Sequence, residues 1–102
     1  MYREVYKIDE IKKVLGKALK NTKVNKAILF GSYAKGNANN NSDIDLLVDS
    51  NNTIVGFEIF GLLQTLTDAL GKDIDLIEKK EIISGGKIEK EIEKTGVVVY
   101  ER

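Results

Sequence analysis

Apolar residues follow helical spacing near the start of the chain and strand-like spacing soon after it. They recur every three or four residues at Ile8, Ile11, Leu15 and Leu19. This spacing predicts an amphipathic helix over residues 9–20, with Asp9 as its N-cap. The unbroken apolar run at residues 27–30 predicts a buried strand. Residues 31–42 (GSYAKGNANNNS) are small and polar, which predicts a turn with room for one helical turn, followed by a loop.

Two later segments alternate between apolar and acidic residues, as a strand with one buried face does. Residues 43–49 place Ile44, Leu46 and Val48 on one face and Asp43, Asp45, Leu47 and Asp49 on the other. Residues 73–77 repeat the pattern, with Ile74 and Leu76 on one face and Asp73 and Asp75 on the other. Between these segments, the helical spacing of residues 57–70 predicts a second amphipathic helix that ends at Gly71.

The last part of the chain predicts one more helix and one more strand. Residues 87–94 are typical of a short polar helix, which begins after Gly85-Gly86 and is closed by Gly96, and residues 97–100 predict a strand. This order of elements predicts an α/β fold. We expect a single small domain over residues 1–102, with helices on one or both faces of a mixed β-sheet.

Composition removes several classes of function. The 102 residues include 16 basic and 16 acidic side chains, so the net charge is zero, and extended nucleic acid is not expected as a ligand. The chain has neither Cys nor His, which excludes thiol nucleophiles, histidine bases and Cys or His metal ligands. No apolar stretch approaches the roughly 18 residues of a membrane span, and no secretory signal is visible, so we expect a cytoplasmic protein without a membrane partner.

One group of residues in the sequence is a candidate for a catalytic site. Gly31 and Ser32 directly follow the first strand, and ten residues separate them from Asp43-Ile44-Asp45. A glycine lets the backbone approach an anion closely, while free amides and a Ser hydroxyl bind phosphate oxygens. Carboxylates at positions i and i+2 project from the same side of a strand, with Cα atoms roughly 6.5–7 Å apart. So placed, they can share two divalent cations of the kind that phosphoryl and nucleotidyl transfer use.

Residues 30–49 (FGSYAKGNANNNSDIDLLVD) resemble the signature of the minimal nucleotidyltransferases in the DNA polymerase β superfamily. The helix before the motif and the later KDIDLI strand match as well, and the resemblance covers nearly the whole chain. It implies a polymerase-β-like nucleotidyltransferase fold. It also implies that Gly31 and Ser32 hold the β- and γ-phosphates of a nucleoside triphosphate, and that Asp43 and Asp45 bind two Mg²⁺ ions.

Two further site residues are implied by the same resemblance. Asp75 would be the third carboxylate, ligating the catalytic metal and helping to deprotonate the acceptor hydroxyl, with Asp73 on the same strand face as its rival. Many family members carry Arg in the turn after Gly-Ser, where this chain has Tyr33 and Lys35. Lys35 could contact a phosphate as a point charge or remain a solvated loop lysine. For Tyr33, packing under the loop is favoured over a position near the nucleotide, and Asp49 is interpreted as a turn residue.

The resemblance implies Mg²⁺-dependent transfer of a nucleoside monophosphate to a hydroxyl. The leading choice is AMP, with ATP as its donor. Minimal members of this family are commonly antitoxins that pair with an all-α HEPN ribonuclease toxin, and some transfer AMP to its Tyr. A HEPN-type partner is therefore expected, and association with further copies of the chain stays open. Two alternatives also remain. One is a catalytically weak or inactive binding module that neutralises such a toxin by contact, and the other is a subunit of a small-molecule nucleotidyltransferase.

Overall fold

A four-stranded mixed sheet organises the computed structural model, which describes residues 5–102. Its strands are β1 (Lys26–Phe30), β2 (Ile44–Asp49), β3 (Ile74–Glu78) and β4 (Val97–Glu101), in the order β3-β2-β1-β4. Strand β1 pairs antiparallel with β2 and β4, whereas β2 and β3 are parallel. The predicted mixed sheet is confirmed, and the parallel pair brings the two acidic segments side by side.

Helices cover both faces of this sheet. They are α1 (Ile8–Ala18), α2 (Gly31–Lys35), α3 (Glu58–Leu70) and α4 (Lys87–Thr95), and a single 3₁₀ turn spans Lys79–Glu81. The core forms where α1 and α3 pack on one face of the sheet, and it includes Ile11, Leu15, Leu29, Ile44, Leu46, Leu66 and Leu70. On the opposite face, Ile92 of α4 lies near Ile28 and Leu47. Residues 1–4 of the predicted domain lie outside the described residues.

The start of α1 corrects one prediction. Lys7, not Asp9, is the N-cap, and its backbone N–H donates to Glu10 Oε1 at 2.7 Å. The side chain at the third helical position thus satisfies an amide that would otherwise lack a partner. Asp9 lies inside the first turn, where its negative charge favours the positive end of the helix dipole. The prediction of Gly71 as the C-cap of α3 is confirmed, with φ at +66°.

The acidic face of β2 is partly covered. Leu47 shares that face with Asp45 and is only 7% exposed, because α4 and the chain near Ile82 pack beside it. The carboxylates therefore lie at the edge of an apolar surface and not on an open polar face. Within the described part of the chain, no helix is long and apolar enough to cross a membrane.

Candidate active site

Gly31 joins β1 to α2 in a conformation that favours glycine. Its φ is +72°, and it is buried. A Cβ atom at this position would lie 3.0 Å from Cγ of Asp45 and still closer to a carboxylate oxygen of that residue. The site therefore needs glycine both for the turn and for space beside Asp45. Ser32 follows, half-buried, in the first turn of α2.

Asp45 and Asp75 form the centre of the site. They are register partners on the parallel strands β2 and β3, so their side chains project from the same face of the sheet. Burial raises the pKa of Asp45 to about 6, and the charges of Asp75, Asp43 and Glu91 add to the rise. The site is therefore a concentration of negative charge.

The other predicted carboxylates lie in different surroundings. Asp43 is exposed just before β2 and close enough for its charge to act on Asp45. Asp73, the rival of Asp75, precedes β3, and its backbone carbonyl accepts the N–H of Ile44 at 3.1 Å. The carboxylates whose charges act on Asp45 are those of Asp43, Asp75 and Glu91, and not that of Asp73.

Asp49 lies at the far end of β2 and belongs to a turn. Its Oδ1 accepts the backbone N–H of Asn51 at 3.0 Å, and its Oδ2 lies 3.5 Å from Nζ of Lys79. The interpretation of Asp49 as a turn residue is thus confirmed.

Lys35 lies one helical turn after Gly31, at the end of α2. Its Nζ is 3.7 Å from Oε1 of Glu91 on α4. Glu91 cannot be identified from the sequence, because the segment KIEKEIEK has the charge pattern of a solvated helix and carries no local sign of a site. Contact between α2 and α4 brings Glu91 beside Lys35, and the charge of Glu91 adds to the raised pKa of Asp45.

Tyr33 packs in the core, as favoured by the sequence. Its ring is 3% exposed, and among the described residues its hydroxyl is the one buried side-chain polar atom without a hydrogen-bond partner. In the same part of the chain, no group of three acidic residues is close enough to form a ready metal cage. Asp43, Asp45 and Asp75 nevertheless supply the oxygen ligands that hard divalent cations prefer, in a place where their charges repel one another.

Comparisons with known proteins agree on one family. Residues 9–102 match the family model described as "Polymerase beta, Nucleotidyltransferase". A Methanocaldococcus jannaschii protein, described as a candidate protein adenylyltransferase, is 42% identical over 81 residues, which cover 74% of this chain and 81% of the relative. The protein adenylyltransferase MntA of Thermococcus cleftensis is 37% identical over 57 residues, covering 56% of this chain and 58% of that protein.

The fold has close counterparts among solved structures. A toxin-antitoxin crystal structure with AMP-PNP superimposes with a TM-score of 0.74 at 27% identity, over 89% of this chain and 73% of the other. The resemblance seen in residues 30–49 is confirmed. A nucleotide substrate, usually used with a divalent metal ion, is the rule in the matched family. The chain belongs to the polymerase β nucleotidyltransferase family.

Proposed function

We propose that this chain transfers AMP from ATP to a hydroxyl group of a HEPN-type toxin and thereby acts as its antitoxin. The observation that carries the proposal is the register pairing of Asp45 with Asp75 beside Gly31. Relatives named as protein adenylyltransferases and a toxin-antitoxin neighbour that contains AMP-PNP support the choice of nucleotide and partner. A Tyr of the toxin is the proposed acceptor.

The triphosphate is assigned to the turn between β1 and α2. Gly31 leaves room for phosphate oxygens next to Asp45, and Ser32 offers its hydroxyl and its amide. Lys35 lies one helical turn away and provides a positive charge on the same short helix. These three residues would hold the β- and γ-phosphates and so orient the α-phosphate toward the carboxylates.

Two Mg²⁺ ions are assigned to the carboxylates. Asp43, Asp45 and Asp75 would hold them. Burial and then the repulsion of its neighbours raise the pKa of Asp45, and divalent cations would offset both effects. Bound there, the ions would neutralise charge on the phosphates and lower the pKa of the acceptor hydroxyl.

The transfer step follows from where Asp75 lies. Strand β3 is at the edge of the sheet, and the carboxylate of Asp75 is exposed, so an acceptor can approach from that side. The acceptor oxygen attacks the α-phosphorus, and the bond from that phosphorus to the bridging oxygen of the β-phosphate breaks. Pyrophosphate leaves with the electron pair of that bond, while Asp75 takes the hydroxyl proton.

The test is transfer of label to the purified partner. The chain and its HEPN partner are incubated with Mg²⁺ and ATP labelled at the α-phosphate, and the toxin is analysed by intact mass and for ribonuclease activity. We expect AMP on a toxin Tyr, loss of ribonuclease activity, and neither result with Asp45→Asn. A toxin that is neutralised without carrying label would identify a binding module instead. Label on an added small-molecule alcohol but not on the toxin would identify a small-molecule transferase.

A further inference from the structure

Glu91 and Lys35 form a weak ion pair, in which another anion could replace Glu91. The 3.7 Å between Lys35 Nζ and Glu91 Oε1 is an ion-pair distance but longer than a hydrogen bond. The two side chains are 42% and 26% exposed. An exposed pair of this kind contributes little to stability, so a ligand with more negative charge can displace Glu91 from Lys35.

Glu91 is also placed where it acts on the site itself. It lies on α4, which contacts α2 and covers the sheet face that carries Asp45. After burial and the charges of Asp75 and Asp43, the charge of Glu91 also contributes to the raised pKa of Asp45.

We propose that Glu91 competes with the phosphates of the nucleotide for Lys35. In the nucleotide-free protein, Lys35 pairs with Glu91, and in the loaded protein it turns to the β- and γ-phosphates. After transfer, Glu91 recaptures Lys35 and so weakens the hold on pyrophosphate. This inference rests on the proposed function, because it assigns Lys35 to the triphosphate. Glu91 is thus a positioning residue that limits phosphate affinity and favours product release.

The variant Glu91→Gln removes the competing charge while keeping the size of the side chain. Freed from its partner, Lys35 should bind phosphates better. We expect the inhibition constant of pyrophosphate and the KM for ATP each to fall about twofold to fivefold, the range that a single exposed ion pair supplies. The same ratio should appear in the dissociation constant of magnesium pyrophosphate, measured by calorimetry without an acceptor.

Two controls separate competition from a general charge effect. Glu93→Gln removes one charge from the same helix at an exposed position and should leave the pyrophosphate constants unchanged. In a Lys35→Met background, Glu91→Gln should no longer tighten pyrophosphate binding, because the contested cation is gone. Tightening that persists in that background would overturn the proposal, since Glu91 would then act through its charge alone.

Three further results would contradict the competition between Glu91 and phosphate. Unchanged or weaker pyrophosphate binding in Glu91→Gln would overturn the competition, because Glu91 would then merely fasten or orient Lys35. If the unsubstituted protein binds neither magnesium pyrophosphate nor magnesium AMP-PNP, both this inference and the proposed function fail. A protein that binds both ligands but shows no effect of Glu91→Gln overturns this inference alone.

Discussion

Asp45 and Asp75 face the same side of the sheet from directly paired positions on β2 and β3, and after burial the charge of Asp75 is the largest cause of the raised pKa of Asp45. Without a cation, this arrangement works against folding at neutral pH. The raised pKa of Asp45, about 6, means that its charged form is disfavoured in the folded protein. A divalent cation bound between these carboxylates would offset their repulsion.

The first prediction concerns the stability of the nucleotide-free protein. The folded protein holds a proton on Asp45 more tightly than the unfolded chain does, whose Asp pKa is about 3.9. The stabilisation from this group is therefore complete below about pH 4 and is lost as pH rises through about 6. Asp45→Asn removes the repulsion, so it should melt at a higher temperature than the unsubstituted protein at pH 8, with the difference shrinking toward pH 4.

Melting curves from pH 4 to pH 8 in a metal-free buffer provide the measurement. Asp73→Asn is the matched control, because Asp73 is exposed and is not among the charges that act on Asp45. It should follow the pH profile of the unsubstituted protein. An Asp45→Asn protein that melts lower at pH 8 would show that the native carboxylate stabilises the empty fold.

The second prediction is that magnesium and ATP stabilise the protein together. Cations relieve the repulsion among the three carboxylates only in the folded state. At a ligand concentration of about 100 times Kd, linkage adds about 2.7 kcal/mol to the free energy of unfolding. For a domain of this size, that is a rise of about 10–20 °C in Tm. ATP with EDTA should give a much smaller shift in the same assay, and equal shifts would contradict a metal-dependent site.

The third prediction tests Gly31 against a second glycine. Gly31→Ala places a Cβ against the Asp45 carboxylate and forces alanine into a positive φ, so it should both destabilise the fold and abolish the response to magnesium ATP. Gly36 has a φ of +80° but nothing within 4 Å of an added Cβ, so Gly36→Ala carries the backbone strain alone. That strain is about 1–2 kcal/mol. If both variants retain the nucleotide-induced shift in Tm, Gly31 has no role in phosphate binding.

The elements of the fold are largely predictable from the sequence, because each periodic segment ends at a strong local signal. The alternation after Asp43 predicts β2 to within one residue, and Gly71 marks the end of α3 in the structure as in the pattern. The start of α1 could not be predicted as well. Any polar residue before the first turn can cap a helix, and here the Glu10 side chain supplies the decisive hydrogen bond.

In the candidate site, residues that belong to a local sequence motif can be predicted, whereas residues placed by tertiary packing cannot. Gly31 and Asp45 can be predicted as site residues because both belong to one short motif. Asp75 can be predicted because its strand repeats the alternation of acidic and apolar residues. Glu91 is not visible in this way. Its place beside Lys35 depends on how α4 packs across the sheet, and that packing arises from apolar contacts such as those around Ile92. Likewise, the sequence places Leu47 on the acidic face of its strand, but it does not show that α4 buries this side chain.

The fourth prediction uses the buried hydroxyl of Tyr33. A buried hydroxyl without a partner costs free energy that phenylalanine does not, so Tyr33→Phe should raise the free energy of unfolding by about 1 kcal/mol. Chemical denaturation provides the measurement, and the KM for ATP should not change. A rise in that KM would instead place the hydroxyl at the nucleotide, the alternative that the sequence left open.

The fifth prediction assigns the base. Asp45 lies next to Gly31 and should be needed for binding, whereas Asp75 lies on the open edge strand where the acceptor would approach. Asp75→Asn should therefore keep much of the melting shift with magnesium ATP yet lower AMP transfer at least 100-fold, the loss expected on removing a positioned base. Asp43→Asn and Asp45→Asn should lose both the shift and the transfer.

Asp73→Asn, two residues before Asp75, should change the rate little. Because labelled transfer and melting are measured on the same four proteins, a loss of transfer in Asp73→Asn but not in Asp75→Asn would move the base to Asp73. If transfer survived in all four, the carboxylates would not perform the chemistry.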